Sequence, residues 1–81
     1  MREKVILEYA IKGIMAEIDV LEKTINQGKQ FLLQYEKGQT PKTPKTPQEI
    51  KDIIQRKKAE IEKLVKLKDE LKWDLGLIEE K

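Results

Sequence analysis

Cysteine, histidine and serine are all absent from this 81-residue chain. Without cysteine, neither a disulfide framework nor thiolate metal ligation is available. Losing histidine and serine as well removes the common proton shuttle for neutral pH and the common hydroxyl nucleophile. Any catalysis would rest on carboxylates, lysine, tyrosine or threonine, in a concave pocket that two helices do not wall off. The sequence therefore points away from an enzyme, and no catalytic, cofactor-binding or metal-binding residue is assigned. Aromatic residues are also few, with one Trp, two Tyr and one Phe. Unbroken apolar runs stop at three residues, as in Val5-Ile6-Leu7, far below the ~20 residues of a membrane span. No export signal is recognisable at the N-terminus, so no membrane role and a cytoplasmic location are expected.

Charge is abundant and apolar residues recur with a regular period. Leu7, Ile11, Ile14, Ile18, Leu21, Ile25, Gly28, Leu32 and Tyr35 follow alternating steps of four and three. The same alternation runs through Ile50, Ile54, Lys57, Ile61, Leu64, Lys68, Leu71, Leu75 and Ile78. A 3.5-residue apolar repeat keeps one stripe of a helix turned toward a partner helix, which is the coiled-coil pattern. The spacing predicts a first helix over about 3–36, a Pro/Lys/Thr loop over about 37–46 and a second helix over about 47–79. Gly38 suits the left-handed position that ends a helix. Thr46, Pro47 and Glu49 form an N-cap, a proline at the first helical position and a capping box.

Two helices of about 50 Å, joined by a short polar segment, make an antiparallel hairpin. The expected fold is all-α, one domain over 1–81, assembling as a dimeric four-helix bundle. If seam residues whose numbers sum to 82 stand level, Leu32 faces Ile50, Gly28 faces Ile54 and Leu21 faces Ile61. Ile54 then fills the space left by Gly28. Between the helices, Pro41, Pro44 and Pro47 recur at every third residue, separated by Lys and Thr. That spacing favours extended polyproline II and makes the segment either a stiff linker or a ligand for a proline-binding domain.

Apolar residues also lie outside the two seams, among them Val5, Ile6, Tyr9, Met15, Val20 and Trp73. A lone hairpin buries one stripe per helix, so part of this surface is expected to meet a partner. The expected partners are a second copy of the chain first and an unidentified protein second. The residues assigned to the oligomer interface are Ile11, Ile14, Ile18, Leu21, Ile25, Phe31, Ile53, Leu64, Leu67 and Leu71.

Net charge is only +2, yet Lys37, Lys42 and Lys45 make the loop basic, and seven bases fall within 56–72. Lys51, Arg56, Lys58 and Lys63 are candidate anion-binding residues for nucleic acid or a phosphate ligand. Acidic residues interleave with them, and pairs such as Lys58 and Glu62 have ordinary i,i+4 surface spacing. Lys57 and Lys68 sit in the apolar seam, where their stems can line it while their ammonium groups reach water. The preferred reading is a small helical interaction module: an adaptor, scaffold or regulator acting through exposed helix faces or the loop. The alternative is a bundle that binds nucleic acid or phosphate.

Overall fold

A computed structural model describes residues 2–79, with side-chain surroundings given for 2–78. Helix α1 spans Arg2–Glu36 and helix α2 spans Pro47–Glu79. The two pack against each other, and no strand occurs among the described residues. The molecule measures 59 × 16 × 16 Å, the shape of two long helices lying side by side as a hairpin. No described helix is long and apolar enough to cross a membrane.

Helix ends form where local chemistry satisfies their orphan backbone groups. At the end of α1, Gly38 takes φ 77°, a conformation open to glycine without steric cost. The Gly38 amide then donates to the Tyr35 carbonyl at 3.0 Å and the Gln39 amide to Gln34 at 2.9 Å. This is the Schellman pair of bonds, and it satisfies two of the last carbonyls of α1. At the start of α2, the Glu49 amide donates to Thr46 Oγ1 at 3.2 Å. The Thr46 hydroxyl in turn donates to Glu49 Oε1 at 3.2 Å, so the cap closes through the hydroxyl. A capping box in its usual form would send the carboxylate back to the Thr46 amide instead.

The core follows the apolar repeat but is thin. Ile11, Ile18, Leu21 and Ile25 of α1 and Ile50 and Ile54 of α2 are buried, while no side chain among the described residues falls below 2% exposure. Ile25, Ile50 and Ile54 form one cluster, with Phe31, Leu32, Tyr35 and Ile61 packed against it. The tightest packing therefore lies at the loop end. Toward the chain termini, Leu7, Leu71, Leu75 and Ile78 are only half-buried. Gly28 explains part of this difference. A Cβ placed there would stand 3.2 Å from Cδ1 and Cγ1 of Ile54 and 3.3 Å from Cγ2 of Ile50. Ile54 does fill the space opposite Gly28, as the register argument requires.

The loop departs from the sequence reading. Rather than running as a stiff solvated ribbon, it bends at Lys42, Pro44 and Lys45, and Pro41 is buried. The Thr43 amide donates to the Pro41 carbonyl at 2.9 Å, and the Lys45 amide donates to Thr43 Oγ1 at 3.3 Å. The Tyr35 hydroxyl reaches over from α1 and donates to the Lys45 carbonyl at 2.9 Å. Side-chain and backbone acceptors inside the segment thus offer an alternative to a fully solvated backbone. Proline spacing alone does not reveal these bonds.

Candidate functional site

Three surfaces could engage a ligand or partner, and each is set by where the helices place their off-seam residues. The first is a shallow apolar depression at the loop end. Gly28 lines it together with Ile50 and Ile54, which pack directly against the glycine. Phe31 and Ile53 flank the depression, and Thr43 and Lys45 of the folded loop close one side. Beside it lies a more polar hollow lined by Thr24, Lys45, Arg56, Lys57 and Glu60.

The second surface comprises the basic residues of α2. Lys51, Lys58, Arg56 and Lys63 are all exposed. At about 100° per residue, Lys51 and Lys58 fall on one side of α2, while Arg56 and Lys63 lie roughly 120–160° around the helix. The four do not share a face. Lys57, in the seam, is half-buried and pairs with the exposed Glu60 carboxylate at 3.9 Å. Its stem follows the apolar stripe while its charge reaches the surface. Lys68 is likewise half-buried. Among the described residues, no group of three or more acidic side chains is arranged to hold a metal ion.

The third surface is apolar and uncovered. Ile6 is 59%, Val20 61%, Tyr9 70% and Trp73 71% exposed. Lys12 Nζ lies 5.9 Å from the Tyr9 ring centroid, a cation–π contact on the outer side of α1. Trp73 stands among Asp69, Glu70 and Asp74 on α2. Both aromatic residues belong to the termini end of the hairpin, away from the tight cluster.

The residues assigned from sequence to an oligomer interface divide by burial. Ile11, Ile18, Leu21 and Ile25 lie buried in the seam of the single chain. Ile14, Phe31, Ile53, Leu64 and Leu71 are half-buried, and Leu67 is exposed. Sequence reasoning recognised Tyr9 and Val20 as surplus apolar residues without placing them in an interface. Their signal was a second 3-4 repeat on the same helix, running Ile6, Tyr9, Gly13, Ala16, Val20. A strong primary seam masks such a repeat, because both have the same period. No protein-family model matches the chain, and comparison with curated proteins and with solved structures finds no match.

Proposed function

We propose that this protein is a small, non-enzymatic helical interaction module, an adaptor, scaffold or regulator, acting in the cytoplasm. It self-associates as a dimer of hairpins, a four-helix bundle, and engages a partner protein through the helix faces or the loop that remain outside the dimer. The observation that carries this reading is the apolar surface off the seam, with Ile6, Tyr9, Val20 and Trp73 each more than half exposed. Patches of this kind mark interaction sites. A thin core adds support, because chains near this length gain much of their stability from association when their own core is small.

Of the two candidate partner elements, the helix faces have the stronger support. A proline-binding domain needs an accessible run of Pro-x-x-Pro, whereas Pro41 is buried and the Lys45 carbonyl is engaged by Tyr35. Nucleic-acid binding has weaker support, because Lys51 and Lys58 diverge from Arg56 and Lys63 and acidic residues stand between them. Light scattering at ~50 µM tests the central claim. Self-association gives at least twice the 9.5 kDa of one chain, and a fully helical monomer at that concentration refutes it.

A further inference from the structure

The exposed apolar residues of α1 are ordered into a second stripe. Ile6, Tyr9, Gly13, Ala16 and Val20 follow the same alternation of three and four as the seam. At about 100° per residue they fall within an arc of roughly 80° on the side of α1 opposite Ile11, Ile18 and Ile25. All five are exposed, and a Cβ added at Gly13 would meet nothing within 4 Å. Helix α2 covers one side of α1 and leaves this one bare.

We propose that this stripe binds a second copy of the chain, α1 against α1 in antiparallel orientation, about a two-fold axis between residues 14 and 15. The proposal rests on the self-association reading above and adds to it the face, the orientation and the register. In this pairing, residues whose numbers sum to 29 stand level. Gly13 meets Ala16 of the second copy nearest the axis, where two small residues let the backbones approach closely. Tyr9 then covers Val20 of the second copy on either side. Every contact is made twice, as a closed two-fold interface requires.

Charge selects both the occupant and the register. Lys12 and Asp19 lie on one flank of the stripe, seven residues apart. In the proposed register each Lys12 lies two residues, about 3 Å along the helix, from the level of Asp19 of the second copy, within reach of its long side chain. Moving the axis to one neighbouring register brings the two Lys12 residues together. Moving it the other way brings the two Asp19 residues together. Like charges face to face disfavour both shifts. The flank carries two charges of each sign, Glu8 and Lys23 lying outside Lys12 and Asp19 with the same offset, and so complements its own two-fold copy. An anionic membrane surface would meet Glu8 and Asp19 as well as the lysines. Antiparallel pairing also holds the basic loops, with Lys37, Lys42 and Lys45, at opposite ends of the dimer. The resulting order of helices is α2, α1, then α1 and α2 of the second copy, so the dimer is a flat four-helix layer rather than a bundle around one shared core.

Charge reversal combined with cross-linking tests this arrangement. Lys12→Glu and Asp19→Lys should each raise the dimer dissociation constant about tenfold, since two rim pairs turn repulsive. Combining them in one chain should restore wild-type affinity, which a merely structural effect would not do. The chain has no cysteine, so introduced thiols report cleanly. A mixture of Ile6→Cys and Lys23→Cys chains should form the mixed disulfide. Neither variant alone should link to itself, because its two copies stand about 25 Å apart along the helices. Circular dichroism confirms that each variant keeps its helices. Self-linking of Ile6→Cys would establish parallel pairing and overturn the proposal. A wild-type dimer indifferent to the charge reversals, with no mixed disulfide, would overturn this interface and leave self-association standing. A monomeric wild type at ~50 µM would overturn both.

Discussion

At the residue scale, two positions show how one side chain governs a whole element. The Thr46 hydroxyl both accepts the Glu49 amide and donates to its carboxylate. Replacing Thr46 with Ala leaves that amide donor without its partner and should cost about 1 kcal/mol, read from chemical denaturation. Glycines divide by surroundings. Gly76 lies in α2 with nothing within 4 Å of its missing Cβ, so Gly76→Ala should stabilise the chain by about 0.5–1 kcal/mol, raising the melting temperature by several degrees. Gly28 is different, because Ile50 and Ile54 already occupy that space. Gly28→Leu should destabilise by about 1–3 kcal/mol through overpacking, and α1 and α2 should separate locally at the loop end. A Gly28→Leu chain that melts as high as wild type would mean the helices do not meet there.

At the scale of elements, both helices were legible because their signals are local. A 3-4 apolar repeat, a glycine after the last periodic residue and a Thr-Pro-x-Glu start each act within a few residues. The helix ends at Glu36 and Pro47 stand where those signals place them. The loop was not legible to the same degree. Proline spacing constrains φ, yet it does not determine whether the segment leaves the helices or folds onto them. That outcome depends on Tyr35, ten residues before its acceptor on Lys45, and on the burial of Pro41. Tyr35→Phe removes one neutral, partly exposed hydrogen bond, and a loss of about 0.5–1 kcal/mol on chemical denaturation is expected. Replacing residues 40–45 with Gly and Ser should cost more than that single bond while keeping the hairpin. Loop closure depends only weakly on length, but the buried Pro41 and the bonds of Thr43 are lost together. Hydrogen exchange of the α2 amides, faster near Ile50 and unchanged near Leu64, would report the effect.

For the whole molecule, the thin core makes stability sensitive to any charge in the seam. Ile18 is buried, and Ile18→Asp should cost several kcal/mol, enough to unfold a hairpin of this size. Duplex DNA binding should be undetectable at ~0.15 M salt, as measured by fluorescence anisotropy, because the exposed bases diverge and acids screen them. A log–log salt slope near −0.9 per phosphate contact would show instead that the lysines act as one surface.

Much of this architecture follows from the sequence alone. Period, caps and glycine placement dictate two long helices and the stripe each one turns inward, because these depend on neighbours three or four residues away. The partner of each stripe is a long-range matter. Tertiary structure decided that packing is tightest at the loop end and that Pro41 is buried, whereas the seating of Ile54 against Gly28 already follows from the heptad register. Tertiary structure also left a second stripe on α1 bare. Both stripes satisfy the same helical spacing, and only the docking of α2 against Ile11, Ile18, Leu21 and Ile25 leaves Ile6, Tyr9 and Val20 in water. Apolar periodicity reports that a face is able to pack, while the free energy of covering it is realised only when a second helix supplies the matching surface.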